Sequence, residues 1–543
     1  MGVTSTIAAG AANTAQRLAA IADGQRARSR ILAAPLALAM AGLMLLWWVT
    51  PLGLGVSPDS TQYLSAAQHL LNGDGLRVHW WSEGIEPFTH FPPGQVVALA
   101  GLESLGLTPD HSARLLNSLA LVAIAVFAFA LARKAANGSA VAGVAGAAAV
   151  VLARDVLAAH AMIWTEPVYL ALMLGALVAA ARAIETDNTS AVVAAAILAG
   201  AAGLFRYVVP ALIGAVALSL LVLGTATRRR RIIRTSAFVA IASLPTLLLY
   251  AFNASRGPGA ADRQLAVHLP EAAQFMAAAR TAYYSVIPMR APVWLELAVL
   301  ALVGIASMVL AVSLLRSGRS ARGVATADAG RVRVMLALVA SCYLAFLFAA
   351  LTLFDAQSTP DNRMLLPVLP PLTILVVAML SDAMRVPSLR LPAKAMIAAL
   401  SVGVASSVAT WAVITRENGL GYNSARWKAS AMMAAIRQLA PETIVYTNHP
   451  GAILFQTGRE VPGIPRLANP NSRRPNADWA AQMAAICQRA AHQRIAYAHF
   501  TYEAGEWVMP SMWEVRRRLN SHPALVTAEG ILDTVPAGCA AGN

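Results

Sequence analysis

The chain has 543 residues, 57% of them hydrophobic and 13% charged, with a net charge of +15 and a mean hydropathy of +0.58. A soluble domain averages about 45–50% apolar and about 25% charged residues, so this chain has too little polar surface to cover itself in water. Its basic residues sit in short clusters between apolar runs, as at Arg228–Arg231, which is the cytoplasmic Lys and Arg excess of a membrane protein and argues against nucleic acid as a partner.

Residues 1–30 carry Arg17, Arg26, Arg28 and Arg30 and read as a cytoplasmic tail. The first apolar run is too long for the apolar part of a signal peptide, and no small-residue cleavage site follows it convincingly. Apolar runs then recur at about 31–50, 113–132, 139–153, 166–183, 190–206, 208–225, 232–252, 293–315, 334–354, 365–380 and 395–414. A spanning helix needs ~20 such residues, so about eleven transmembrane helices are expected over 31–414. With the N-terminus inside, the inner tail and loops collect twenty basic residues and the outer loops before residue 415 only nine. The bias sets the N-terminus in the cytoplasm of a bacterial inner membrane and places the C-terminus in the periplasm.

Two outer segments break the pattern. Residues 51–93 form a long polar loop with an amphipathic helix expected at about 60–72. Residues 94–107 are apolar but too short to cross, so they lie at the interface or dip in and out. From 415 to 543 the chain reads as a small periplasmic α/β domain. Helices are expected at about 424–440 and 477–492, and strands at Thr443-Ile444-Val445-Tyr446, Arg494-Ile495-Ala496-Tyr497 and near 524–534. Cys487 and Cys539 fall in an oxidising compartment, which leaves a disulfide and two free thiols both open. Cys342 is mid-span and expected to pack. No CxxC, HExxH, P-loop or GxGxxG stands in a supporting context.

Several ionisable residues fall at one level, the outer membrane face. They are Asp59 after the first span, Asp155 and Glu166 around a later outer turn, Arg206 in Leu204-Phe205-Arg206-Tyr207, and Arg363 in Thr359-Pro360-Asp361-Asn362-Arg363. Charges at membrane depth are costly and usually face a cavity or a partner, so together they outline a site. Each has a plainer reading. Asp59 with Gln62 fits a capping box, and Glu166 before Pro167 fits a helix opening. Asp155 can pair with Arg154, Arg206 and Arg363 can anchor to lipid phosphates, and His90 can be an ordinary loop histidine.

The segments Pro58-Asp59-Ser60-Thr61-Gln62-Tyr63, Gly73-Asp74-Gly75-Leu76 and Glu86-Pro87-Phe88-Thr89-His90-Phe91-Pro92-Pro93-Gly94 resemble the first outer loop of GT-C membrane glycosyltransferases. The likeness is to the bacterial family-39-like branch, related to protein O-mannosyltransferases and aminoarabinose transferases. Thr165-Glu166-Pro167, Leu204-Phe205-Arg206-Tyr207, Asn362-Arg363-Met364-Leu365-Leu366-Pro367, Tyr446-Thr447-Asn448-His449-Pro450 and Thr457-Gly458-Arg459 are similar to further segments of it. The resemblance implies transfer of a sugar from a polyprenyl-phosphate donor to a lipid, polysaccharide or protein acceptor at the outer face, with Asp59 as the catalytic acid. Relatives often carry a charged residue before the double proline, where this chain has His90-Phe91, and this leaves the sugar, the acceptor and the use of a divalent metal open.

On this reading Asp59 is the general base, Glu166 a second acid orienting sugar or acceptor, and Arg206 and Arg363 the donor-phosphate ligands. Tyr63, Glu86, His90, Asp155 and Tyr207 line the substrate cavity. The rival is a transporter or flippase of lipid-linked sugars, whose site should lie at the midplane between paired repeats. No such repeat is evident. A non-catalytic assembly subunit is a third reading.

Overall fold

The computed structural model describes residues 33–81, 84–256, 265–288, 291–302, 304–305, 308, 326–355, 358–501, 508–537 and 539. The expected tail 1–30, the cluster Arg316, Arg319 and Arg322, and part of the apolar run 293–315 lie outside them. Helix α1 (Ala33–Val49) leads into the outer loop. That loop holds α2 (Pro58–Leu71), a hairpin of β1 (Arg77–His79) and β2 (Ile85–Pro87), and α3 (Gly94–Glu103). There follow α4 (Pro109–Ala135), α5 (Ala140–Val151), α6 (Arg154–His160), α7 (Glu166–Thr186), α8 (Thr189–Gly203), α9 (Val209–Leu223) and α10 (Arg228–Ala254). The helical part closes with α11 (Ala272–Tyr284), α12 (Val293–Leu302), α13 (Ala327–Leu353), α14 (Asn362–Leu365), α15 (Leu369–Ala383) and α16 (Arg390–Asn418).

Among the described residues six helical runs are long and apolar enough to cross a membrane: α4, α7, α10, α13, the α14–α15 run and the run Pro387–Asn418 that contains α16. The pair α5 and α6 passes the same test but bends by 55°. Helices α1, α8, α9 and α12 are apolar but shorter. The chain is a polytopic helical membrane protein. Its helices meet on small side chains, with Ala125, Ala128 and Ala132 of α4, Ala176 and Ala180 of α7, and Ala195 and Ala199 of α8 all fully buried. Small residues let helix backbones approach where lipid removes the hydrophobic drive to associate. Large apolar residues such as Leu244, Leu247 and Leu248 of α10 remain exposed.

Ion pairs gather at both ends of the bundle. At the end where α4, α7 and α15 finish, Lys134 pairs with Glu185 and Arg234 with Asp187. Arg333 pairs with Asp382 at 2.6 Å and donates to the carbonyl of Ala135. These cations belong to the loops expected to be cytoplasmic. The opposite end carries the outer loop, the start of α7 and the start of α14.

Beyond α16 come α17 (Ala425–Lys428), α18 (Ala431–Gln438), β3 (Ile444–Thr447), α19 (Pro450–Thr457), α20 (Trp479–Ala490), β4 (Ile495–Phe500), α21 (Met512–Leu519), β5 (His522–Thr527) and β6 (Gly530–Val535). The strands form one sheet in the order β3-β4-β6-β5, with β3 and β4 parallel and the rest antiparallel. Alternation gives it two buried faces. Tyr446, Ile495, Tyr497 and Ile531 pack with Trp479, Met483 and Ile486 of α20. Val445, Ala496, Ala498 and Leu532 belong to a core shared with Tyr63 and Ala66 of α2 and Val96 and Leu99 of α3. Cys487 and Cys539 form a disulfide, which settles the alternative the sequence leaves open. Cys342 is half-buried and packs against the membrane core.

Candidate functional site

Asp59 stands in the first turn of α2, and the cap of that helix is Ser57, not Asp59. Pro58 fixes the first helical position, and the Ser57 and Ser60 side chains exchange hydrogen bonds with each other's amides. The capping that Asp59 with Gln62 could have supplied is therefore performed by Ser57 and Ser60, and the Asp59 carboxylate is available to other partners. Three contacts hold this turn against the start of α7. The Ser60 hydroxyl donates to the Ile163 carbonyl at 2.9 Å, the Trp164 indole donates to Ser57 Oγ at 2.9 Å, and the Ile163 amide donates to the Gly55 carbonyl at 3.0 Å.

That docking brings four charged side chains into a chain of contacts. Arg363 Nη1 lies 2.7 Å from Asp59 Oδ2, and its Nε lies 2.9 Å from Glu166 Oε1. Arg206 also pairs with Glu166. Glu166 is fully buried, and a carboxylate out of water is tolerable only when paired. Here two guanidiniums from distant elements pair it. The Arg363 guanidinium also lies over the Trp164 ring, 4.3 Å from its centroid. Asp361 caps α14 by accepting from the amides of Arg363 and Met364 at 3.0 Å each, which sets the base of the Arg363 side chain.

The outer loop reaches the same place. The Gly94 amide donates to the Leu204 carbonyl at 2.7 Å, two residues before Arg206. A Cβ on Gly94 would stand 2.5 Å from that oxygen, so the motif Pro92-Pro93-Gly94 needs its glycine for close approach. Tyr63 lies one turn after Asp59 on the same helix face, buried edge-on against Phe88 and Phe91. Burial, and then the Asp59 carboxylate, push its phenol well above the usual range, so Tyr63 stays protonated.

Asp59 and His90 line a cavity of about 1100 Å³ bounded by the outer loop and the α/β region. His90 stacks on Trp80 at 6.2 Å. Tyr207 stands behind this wall, where its hydroxyl donates to the Thr89 carbonyl at 3.1 Å and its ring stacks on Tyr250. Glu86 lies in β2 opposite Val78 and does not line the cavity. Asp155 is buried but accepts from the Ser285 hydroxyl, while neighbouring Arg154 donates to the Tyr284 carbonyl at 2.9 Å. Both fasten the end of α11, and among the described residues that line the cavity Asp155 is not found. The structure thus gathers Asp59, Tyr63, Glu166, Arg206 and Arg363, sets His90 in the cavity wall with Tyr63 and Tyr207 behind it, and leaves Glu86 and Asp155 aside.

The sequence reading missed Trp164 as the platform under Arg363, although an aromatic two residues before a buried acid is a usable signal. It also missed His449 as part of the wall. α19 docks its start on α2, where a Cβ on Gly451 would stand 2.6 Å from Thr61 Oγ1. His449 just before it lies among the rings of Tyr422, Trp427 and Phe500. Burial, then the charges of His499 and Arg426, bring its pKa down to about 4. Among the described residues no group of three or more His, Cys, Asp or Glu side chains is gathered to hold a metal ion. Asp59 and Glu166 face guanidiniums instead of each other, a donor set that does not fit a divalent cation.

Neither a protein-family model nor a curated protein sequence matches the chain. Solved structures do match its fold. ArnT from Cupriavidus metallidurans bound to undecaprenyl phosphate superposes with a TM-score of 0.55 at 15% identity, over 94% of this chain and 99% of that one. The archaeal oligosaccharyltransferase AglB from Archaeoglobus fulgidus, in complex with an inhibitory peptide and a dolichol-phosphate, gives 0.52 at 9% identity over 86% and 69%. The chain shares the overall fold of these two structures.

Proposed function

We propose that the protein is a membrane glycosyltransferase that moves a sugar from a polyprenyl-phosphate donor to an acceptor hydroxyl at the periplasmic face. The observation that carries the reading is the contact chain Asp59–Arg363–Glu166–Arg206, drawn from four separated elements, whose Asp59 end lines the cavity. A polyprenyl phosphate, the ligand of ArnT in its solved structure, asks for guanidiniums. Their planar forks match phosphate oxygens, and Arg206 and Arg363 are the two guanidiniums joined to Asp59 through the contact chain.

In the reaction the acceptor O–H gives its proton to Asp59 as its oxygen bonds to the anomeric carbon. The bond from that carbon to the phosphate oxygen breaks, and the electron pair leaves with the polyprenyl phosphate. Arg363 and Arg206 hold the charge that grows there. A single displacement inverts the anomeric centre, by the same geometry as one-step glycosidases. Glu166 is enclosed behind both guanidiniums, which supports a positioning task in place of direct contact with sugar or acceptor. No step is routed through a metal.

The same reading takes the eleven apolar runs as eleven crossings, with the N-terminus cytoplasmic and 415–543 as the periplasmic domain. The pairing of expected inner-loop cations at the bundle end remote from Asp59 supports that orientation. The test is the Asp59→Asn variant, purified in lipid nanodiscs and supplied with a membrane lipid extract from a strain deleted for the gene. The variant should fold and bind undecaprenyl phosphate like the parent yet release no polyprenyl phosphate from donor. Parental release by the variant would remove Asp59 from the mechanism. A flippase would move labelled lipid-linked sugar across a vesicle and leave it intact.

A further inference from the structure

The cavity beside Asp59 lies at the carboxyl ends of two parallel strands. Strands β3 and β4 are neighbours that run the same way. The residues that follow β3, Asn448 to Gly451, line the cavity together with His499 of β4. In open α/β sheets ligands sit outside such strand ends. The turn after β3 is fixed from both sides. The Asn448 side chain donates to the Phe500 carbonyl at 2.8 Å and accepts from the Phe500 amide at 2.9 Å, and the His449 amide donates to Thr447 Oγ1 at 3.1 Å. Gly451 then packs α19 onto Thr61, two residues after Asp59 in α2. What this turn leaves unspent is the His449 ring. The residue is only 7% exposed, with the rings of Tyr422, Trp427 and Phe500 edge-on around it. Neither of its ring nitrogens bonds a described residue, whereas the His499 ring shares a hydrogen bond with the Tyr497 hydroxyl at 2.9 Å. A buried polar atom left unpaired is unfavourable, and a ligand in the cavity that His449 lines would satisfy it.

Burial holds this imidazole neutral, its pKa brought down to about 4, so one nitrogen donates and the other accepts. A hydroxyl has the same double capacity, which a carboxylate or an ammonium lacks. Trp80 and Trp81 in the same lining offer broad faces that suit the C–H side of a sugar ring. The geometry of displacement says which sugar. The incoming oxygen and the leaving phosphate stand on opposite faces of the anomeric carbon. Arg206 and Arg363 are not among the described residues of the lining, whereas Asp59 is, so a phosphate held at the arginines leaves the cavity to the acceptor. We propose that His449 is an acceptor-binding residue, its imidazole hydrogen-bonded to a hydroxyl of an uncharged sugar that enters the cavity toward Asp59. Naming that sugar an acceptor rests on the transferase reading; its hydrogen bond to His449 does not.

The full-length protein in nanodiscs is titrated with fluorescent maltohexaose, with its permethylated form, which keeps the rings but has no hydroxyl, and with an uncharged Ser-rich peptide. Maltohexaose should bind at least ~5-fold tighter than either, the scale of one neutral hydrogen bond. His449→Phe keeps an aromatic ring in place and should erase that advantage without lowering the unfolding temperature at neutral pH. His449→Gln, which has a donor and an acceptor of its own, should recover most of it, and this separates a lost hydrogen bond from a disturbed wall. Equal binding of the hydroxylated and permethylated sugars, parental binding by His449→Phe, or a peptide bound as tightly as the sugar would each overturn the proposal. Undecaprenyl phosphate binding and the release of polyprenyl phosphate from donor lipid are followed in the same discs. Loss of undecaprenyl phosphate binding in Arg363→Gln but not in His449→Phe is the transferase expectation. The transferase reading fails if the parent releases no polyprenyl phosphate, and the His449 proposal fails if maltohexaose binding ignores His449→Phe, so either can fail while the other stands.

Discussion

A guanidinium that touches two carboxylates from different elements has no substitute among the cations, because an ammonium is a point charge and only the planar fork reaches both partners at once. Arg363 makes this bridge between Asp59 and Glu166. The Arg363→Lys variant is therefore expected to keep the fold but lose roughly 10²-fold in turnover, as removal of one transition-state donor does. Steady-state rates with undecaprenyl-phosphate-linked donor check this, and parental turnover would reduce Arg363 to an interface anchor. His449 gives a second expectation at this scale. Its folded pKa, about 4, lies below the ordinary histidine value of about 6.5. Between those values the unfolded chain binds a proton that the folded chain refuses, so its contribution to stability is present above pH ~6.5 and is lost as pH falls toward ~4. Thermal unfolding followed by tryptophan fluorescence should show that decline, and His449→Phe should flatten it. A stability that rises on acidification through the window would contradict the buried, neutral ring. The sequence exposed Asp59, Glu166, Arg206 and Arg363 because ionised groups next to lipid are costly and stand out in an apolar chain. The plainer capping alternative for Asp59 arose because Asp59 with Gln62 and Ser57 with Ser60 both fit the spacing. Pro58, which favours the first helical position, was the residue that discriminated between them.

Among elements, the close approach of the outer loop to the turn after α8 is the most exacting. Gly94→Ala would put a Cβ 2.5 Å from the Leu204 carbonyl, and backbone cannot yield as a flexible side chain can. The start of α3 or the Arg206 turn must shift, with an expected cost of about 1–3 kcal/mol and a larger loss in donor KM than in stability. An unchanged KM would show that the turn does not set Arg206. The Cys487–Cys539 disulfide closes a stretch with a sequence separation of 52 between α20 and the segment after β6. Cys487→Ser should destabilise the α/β region by about 3–4 kcal/mol through the freer unfolded chain, read as an earlier unfolding step with donor binding unaltered. The amphipathic helix of the outer loop, the four strands and the helix at 479–490 were legible because their apolar residues keep a clear period. The helix expected at 424–440 divides at Ala429–Ser430, where the Ser430 hydroxyl accepts from the Met433 amide and opens a new helix. α19 and the hairpin of β1 and β2 escaped because each is too short to show a period and is held by tertiary contacts with α2.

For the whole molecule, ionised side chains are sorted to the two ends of one bundle. The outer end ties Asp59 and Glu166 to Arg363 and Arg206 beside a cavity, and the other ties loop cations to Glu185, Asp187 and Asp382. That sorting is what composition and charge bias foretell, whereas the closing of the cavity by the α/β region depends on non-local packing that no short window of sequence contains. A single cysteine placed at Arg474, in a background without Cys342 and with the native disulfide intact, should react with a membrane-impermeant maleimide in whole spheroplasts; one placed at Arg385 should react only after lysis. The reverse pattern would invert the topology.

The most direct measurement is the release of polyprenyl phosphate by purified protein in nanodiscs from its own membrane lipid donor, compared between the parent, Asp59→Asn and Arg363→Gln. The parent should release it, Asp59→Asn should lose at least ~10³-fold with undecaprenyl phosphate still bound, and Arg363→Gln should lose that binding. Undiminished release by Asp59→Asn, or donor consumption indifferent to Arg363, would contradict it.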